Sequence, residues 1–199
     1  MTTYFPIAKS KINIIGALEA TSLEYTSVLN GYFLDYFVLP KVKSYMSPMA
    51  LVLDIPNNFA AIPGSGDVPA VFTHTSDVAR FVAALVKQPR WEKESYIIGD
   101  RVTWNEFLRL AEEAKGTKFT VVHDSLEKLK TGQITELPSH PSLYPFFPKH
   151  MLQGFFAAFG IMFEQGKFDL RPSHSLNDAF PDIKPKTVKE LVFEAWKET

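Results

Sequence analysis

Lys11 is the first residue whose placement suggests chemistry. It lies in IAKSKINIIGALEA, residues 7–20, which the 3.6-residue spacing of its apolar positions predicts to be a helix. Positions 7, 11, 14, 15 and 18 share one face of that helix and are Ile, Lys, Ile, Ile and Leu. An ammonium in an apolar stripe either extends its stem to the rim and stays in water or points into a site. In a site, partial desolvation brings a lysine's pKa down towards the range of general acid–base work. Asn30-Gly31 is the second candidate. The dipeptide is a strong two-residue hairpin signal, yet no returning strand follows it. Tyr32, Phe33, Tyr36 and Phe37 form an aromatic knot broken by Leu34 and Asp35. Either the hairpin is an unusual one, or a strand ends here at a functional edge and Asn30 faces a ligand.

Three other patterns invite chemistry and fail on spacing. IPGSGDVP, residues 62–69, contains G-x-G but not G-x-G-x-x-G, and Val68 and Pro69 stand where a phosphate cradle needs a helix N-terminus. A hairpin turn is the better reading of that loop. His74, His123, His140, His150 and His174 share no H-x-x-x-H spacing and no H-E-x-x-H occurs, so dispersed core or surface histidines are expected and no metal site. A serine hydrolase needs G-x-S-x-G on a strand-to-helix turn, and Gly64-Ser65-Gly66 lacks that frame.

The elements that must position these residues alternate in type. After the opening helix, residues 23–29 read as a buried strand. Residues 59–73, FAAIPGSGDVPAVFT, read as two short strands joined by the Gly-rich loop. Thr75 or Ser76 can cap a helix with Val78, Phe81, Val82 and Leu85 on its apolar face, ending before Pro89. A short strand follows at 95–98. Thr103 and Glu106 make a capping box for a helix that closes at Gly116. Residues 119–123 read as a strand and 125–130 as a short helix. Prolines at 138, 141, 145 and 148 predict a loop. A Phe-rich helix over 149–165 comes next, and Val188, Leu191, Val192 and Ala195 stripe a terminal one. Strands alternating with capped helices argue for an α/β architecture, although a doubly wound domain ordinarily opens with a strand rather than a helix.

Composition removes several function classes. A length of 199 residues with 46% hydrophobic side chains suits one domain with a real core. A net charge of −1 gives no support for electrostatic binding to nucleic acid. The absence of cysteine excludes disulfides, a thiolate nucleophile and Cys-based zinc sites. No apolar run approaches the ~20 residues of a membrane span, and no secretory signal pattern opens the chain. These features point to a soluble cytoplasmic protein. Seventeen Phe side chains are a heavy apolar load that must find partners.

Taken together, the residues resemble a known family. The order K-x-x-x-x-x-x-L-E-A from Lys11, then LEYTSVLNGYF, resembles the NmrA-like, isoflavone-reductase-like family of atypical short-chain dehydrogenases. In that family a helix carries a catalytic lysine ahead of a Y-T-x-V strand and an N-x-F turn. The resemblance continues through IPGSGDVPAVFTHTSDVARFVAALV and YIIGDRVTWNEFLRLAEEAKG. It departs at the family's opening G-x-x-G-x-x-G turn, which binds the dinucleotide pyrophosphate and has no counterpart here. The resemblance therefore implies an α/β fold comprising the C-terminal portion of an NAD(P)-binding Rossmann-like domain plus the family's smaller substrate-binding part. Residues 1–199 would form one NmrA-like domain that is incomplete at its N-terminus.

It also implies an NAD(P)H-dependent oxidoreductase acting on a small aromatic substrate, with Lys11 as the catalytic proton donor. Asn30, Gly31, Tyr32 and Phe33 would flank the nicotinamide at the carboxyl end of the 23–29 strand, Gly31 permitting close backbone approach. The alternative is a non-catalytic NAD(P)-sensing regulator of the same fold, acting through a protein partner, with the nucleus then a possible compartment. Without the pyrophosphate turn, binding of NADP(H) or NAD(H) is expected to be weak or absent. The unpaired edge of the 23–29 strand would invite self-association.

Overall fold

The computed structural model describes residues 6–197. Helix α1 (Pro6–Glu19) ends where Thr21 caps it, its backbone N–H and its hydroxyl both donating to Leu18 O at 3.0 and 2.7 Å. The chain then reaches β1 (Ser27–Leu29), which pairs in parallel with β6 (Glu94–Tyr96) to form a two-stranded sheet. The strand expected over 23–29 is thus confined to its last three residues. Leu23 is 65% exposed, and Glu24 accepts a hydrogen bond from Trp91 N–H at 2.7 Å, so this segment is anchored by side chains before the ladder begins.

Asn30-Gly31 is not a hairpin. The chain swivels at Gly31, φ +73°, and continues as β2 (Tyr32–Phe33), which joins a second sheet in the order β2-β5-β7. In that sheet β5 (Ala70–Thr73) runs parallel to β2, and β7 (Asp100–Val102) runs antiparallel to β5. A third sheet holds β3 (Leu53–Asp54), β4 (Phe59–Pro63) and β8 (Thr120–Asp124), with β4 and β8 parallel. The two strands read from residues 59–73 therefore exist as β4 and β5 but belong to different sheets. Gly64-Ser65-Gly66 is a crossover, not a hairpin turn. Its backbone explains why: Gly64 N–H donates to Asp124 O at 2.9 Å, extending the β4–β8 ladder instead of folding back on β5.

Helix α2 (Thr75–Leu85) starts one residue earlier than a Ser or Thr cap implies, because the His74 imidazole Nδ1 accepts the Ser76 N–H. Helix α3 (Trp104–Lys115) carries the expected capping box, Glu106 N–H to Thr103 Oγ1 at 3.1 Å and Thr103 N–H to Glu106 Oε2 at 2.8 Å, and closes at Gly116 with φ +62°. Next come α4 (Leu126–Lys130), α5 (Lys149–Glu164), the single-turn α6 (Leu176–Ala179), and α7 (Val188–Trp196), whose own box is Thr187 with Glu190.

The phenylalanines are largely one another's partners. Phe37, Phe72, Trp104, Phe107 and Phe163 are buried together, with ring centroids 4.8 Å apart for Phe37–Phe107, 5.0 Å for Phe72–Trp104 and 4.9 Å for Trp104–Phe163. All three pairs meet edge to face, the arrangement the ring quadrupole favours. This core locks β2 and β5 against α3 and α5. A smaller cluster of Phe81, Leu85, Ile97 and Leu176 fixes α2 beneath β6. Among the described residues, no helix is long and apolar enough to cross a membrane.

Candidate functional site

The turn at residues 30–33 lies at the carboxyl end of β1, where open α/β sheets place ligands. Two strands hold it there. Thr73, at the end of β5, donates its hydroxyl to Asn30 O at 2.7 Å and accepts Gly99 N–H at 3.2 Å. Asn30 is half-buried, and its side-chain Nδ2 is buried with no hydrogen-bond partner among the described residues. A buried amide donor without an acceptor is costly, so it marks a position to be explained.

Gly31 is required by packing. A Cβ there would sit 2.1 Å from Val71 O, so the close approach it allows is that of the β5 backbone. Tyr32 is 7% exposed, and its ring touches those of Phe159, Phe163 and Phe168 at centroid distances of 5.8, 5.5 and 5.9 Å. Burial, with a smaller contribution from Tyr36, pushes its phenol far above its ordinary value, so the hydroxyl stays protonated. Phe33 is half-buried.

Lys11 lies on α1, exposed, and among the described residues no hydrogen bond or ion pair joins it to the 30–33 turn. One turn further along the same face, Ile15 lines a cleft of about 790 Å³ together with Glu19, Tyr25, Ser27, Tyr96 and His174. The structure thus brings α1, β1 and β6 around one cleft without a direct contact between Lys11 and Asn30. Ile14, placed by periodicity on the apolar face, is 57% exposed.

Sequence reasoning missed Asp35 and His74. Asp35 is fully buried, accepting Thr75 N–H at 2.9 Å, Thr75 Oγ1–H at 2.5 Å and Ser44 Oγ–H at 2.5 Å. His74 Nε2 lies 3.4 Å from the same carboxylate. Because His74 Nδ1 accepts the Ser76 N–H, its neutral form carries the proton on Nε2, which is buried without a hydrogen-bond partner among the described residues. The cluster joins the exit of β2 to the start of α2 and so fixes the carboxyl ends of both β2 and β5. Asp35 falls inside the aromatic knot, where hydropathy hides it, and its partner is 40 residues away.

Two of the remaining histidines, His140 and His123, serve structure. His140 is fully buried, accepting Leu137 N–H at Nδ1 and facing Ala50 O with Nε2 at 3.0 Å. His123 Nδ1 lies 2.9 Å from Gly64 O. Among the described residues, no three His, Asp or Glu side chains gather as metal ligands would. At the G-x-G crossover, Ser65 N–H and Oγ–H both point at Glu164 Oε2, each at 3.3 Å. A carboxylate already stands where a phosphate would need to lie.

Parallel ladders closed by capped helices, with a buried turn at their carboxyl ends, make up an α/β fold. A family model described as the NmrA-like family matches residues 3–192, and the chain belongs to that family. Among curated relatives, oxidoreductase BOA1 of Botryotinia fuckeliana (strain B05.10) is 37% identical over 183 residues, covering 90% of this chain and 57% of the relative. The isoflavone reductase homolog IRL of Zea mays is 29% identical over 191 residues, covering 94% and 57%. The chain therefore spans little more than half the length of these relatives. The fold matches a crystal structure of isoflavone reductase with a TM-score of 0.69 at 18% identity, over 96% of this chain and 59% of that one. It also matches AtPrR2 with NADP+ and (+)pinoresinol, with a TM-score of 0.65 at 18% identity, over 94% and 57%.

Proposed function

We propose that residues 1–199 carry the nicotinamide-facing half of an NAD(P)H-dependent oxidoreductase that reduces a small aromatic substrate. The observation that carries this reading is the buried, unpartnered Asn30 Nδ2 at the carboxyl end of a parallel strand. A nicotinamide carboxamide offers the acceptor that this donor lacks. When bound, the cofactor supplies hydride. Asn30 orients the carboxamide, half-buried Phe33 offers an apolar face beside it, and Gly31 and packed Tyr32 hold the turn in place. Lys11 serves as general acid. It shares a helix face with Ile15, which borders the same cleft as Ser27 of β1. A four-residue step along a helix advances ~6 Å, and three residues of strand from Ser27 reach Asn30 in ~10 Å. These advances are comparable if α1 and β1 run oppositely, as the Glu19–Tyr25 contact near the foot of both elements suggests.

The pyrophosphate of NADP(H) or NAD(H) finds no equivalent cradle among the described residues, since Glu164 fills the crossover at Gly64-Ser65-Gly66. With no such cradle among the described residues, weak binding of the dinucleotide by residues 1–199 is the expected behaviour. The compartment that fits is the cytoplasm.

An exposed Lys11 ammonium with no partner among the described residues favours a second reading, a non-catalytic NAD(P) sensor that acts through a protein partner. Lys11→Ala, assayed for turnover and for NADPH binding at millimolar cofactor, separates the two. General acid–base groups contribute ~10²–10⁴ in rate, so turnover should fall by that factor with binding little changed. Unchanged turnover supports the sensor. Loss of binding alone makes Lys11 a phosphate or ribose ligand.

A further inference from the structure

We propose that α1 is a self-association surface, on which two copies of the chain meet with their α1 helices antiparallel about a two-fold axis at residue 14. The proposal does not rest on the reductase reading. Lys9, Ile12, Gly16 and Glu19 follow one another at i, i+3, i+7 and i+10, a single stripe of the helix, and all four are exposed. That stripe is self-complementary. Positions 12 and 16, and positions 9 and 19, are each centred on 14, so a two-fold axis there brings Ile12 of one copy onto Gly16 of the other and Lys9 onto Glu19.

Each match is chemically suitable. Ile12 is 52% exposed and supplies a knob, while a Cβ at Gly16 would find nothing within 4 Å, which leaves an open hole. Glycine is the poorest helix former short of proline, and among the described residues no neighbour within 4 Å of its Cβ position calls for one in mid-helix. Close approach of a second helix does. The charges fix the direction. An antiparallel pair sets Lys9 against Glu19 twice, whereas a parallel pair would set Lys9 against Lys9 and Glu19 against Glu19. Among the described residues neither side chain has an ion-pair partner, and Glu19 receives only a long hydrogen bond, 3.3 Å, from the Tyr25 hydroxyl. Leu23, 65% exposed beyond the foot of α1, adds apolar surface close by. In the sheet below, β1 has β6 as its one ladder neighbour among the described residues.

Sedimentation equilibrium at low salt over a wide range of protein concentration tests the proposal. The average mass should rise with concentration from 22.5 kDa towards twice that value. Lys9→Glu or Glu19→Lys alone turns two attractive contacts into two repulsive ones and should weaken the dimer about tenfold. The Lys9→Glu/Glu19→Lys double variant restores both contacts and should return to within about threefold of the starting affinity. Gly16→Ala should make α1 more helical by circular dichroism yet weaken the dimer, a combination that loss of folding cannot produce. A mass of 22.5 kDa at every concentration overturns the proposal. So does a dimer indifferent to both single charge reversals, which would move the contact to the edge of β1. Single variants that weaken the dimer without rescue in the double variant overturn it as well.

Discussion

Replacing Gly31 with alanine tests whether the turn at the end of β1 is held as described. Gly31 has φ +73°, and an added Cβ would lie 2.1 Å from Val71 O and 2.7 Å from Val71 C, where ordinary contact begins at 3.4 Å. Both atoms are backbone of β5, so no rotamer change relieves the overlap. Either the 30–33 turn or β5 must move by about 1.3 Å, the difference between those distances. The left-handed conformation alone costs alanine ~1–2 kcal/mol. Moving β5 also loosens its pairing with β2 and the Thr73 hydroxyl bond to Asn30, at ~1 kcal/mol for each bond lost. The expected loss is ~3–5 kcal/mol, which with a urea slope of ~2 kcal/mol per M lowers the midpoint by ~2 M. Gly154→Ala, in α5 with nothing within 4 Å of its Cβ and no positive φ, should be neutral or slightly stabilising in the same assay. A Gly31→Ala midpoint within ~0.5 M of the parent would refute the packing role given to that glycine.

Two further perturbations follow from the buried polar groups. Asp35→Ala strands three donors, Thr75 N–H, Thr75 Oγ–H and Ser44 Oγ–H, and should cost ~3–5 kcal/mol in urea unfolding, with a loss under ~1 kcal/mol counting against the clasp. His140 is held neutral chiefly by burial, which lowers its pKa from 6.5, and its Nδ1 already accepts Leu137 N–H, so protonation there must break that bond. Its contribution to stability is therefore complete above the unfolded value and declines as pH falls through and below it, with a slope of up to ~1.4 kcal/mol per pH unit. His140→Leu should be less stable at neutral pH and lack that slope. An unchanged slope would assign the acid sensitivity elsewhere.

The parts of the fold legible in the sequence were those written locally. The Thr103–Glu106 box, the Gly116 stop and the stripe of α7 depend on residues three or four apart and appear where spacing puts them. The resemblance carried by Lys11, LEYTSVLNGYF and the later segments led to the family that the chain belongs to. Strand pairing was less legible, because it depends on partners far along the chain. Residues 23–26 look as strand-like as Ser27–Leu29, but β6 offers pairing only to the latter. The G-x-G loop looks like a hairpin until Asp124, 60 residues on, takes Gly64 N–H and aligns β4 with β8. At the candidate site, the aromatic knot concealed a division of labour. Tyr32 and Phe37 are core, Phe33 stays half-buried, and Asp35 is a buried carboxylate whose donors come from Thr75 at the start of α2 and from Ser44. Lys11 sits on the predicted helix, but the apolar stripe that nominated it is only partly covered, Ile14 being more exposed than buried.

The claim that Asn30 faces the nicotinamide end of a weakly held dinucleotide is tested most directly by saturation-transfer NMR with millimolar NADPH. Saturation should reach the nicotinamide-ring protons, leave the adenine protons nearly untouched, and disappear in Asn30→Leu, which keeps the branched heavy-atom shape of the side chain but removes the amide donor. Saturation centred on adenine, saturation unaffected by Asn30→Leu, or no saturation of the nicotinamide ring at all would contradict the assignment. Micromolar affinity would contradict the weak binding expected from the missing phosphate cradle and direct attention to a second anion site.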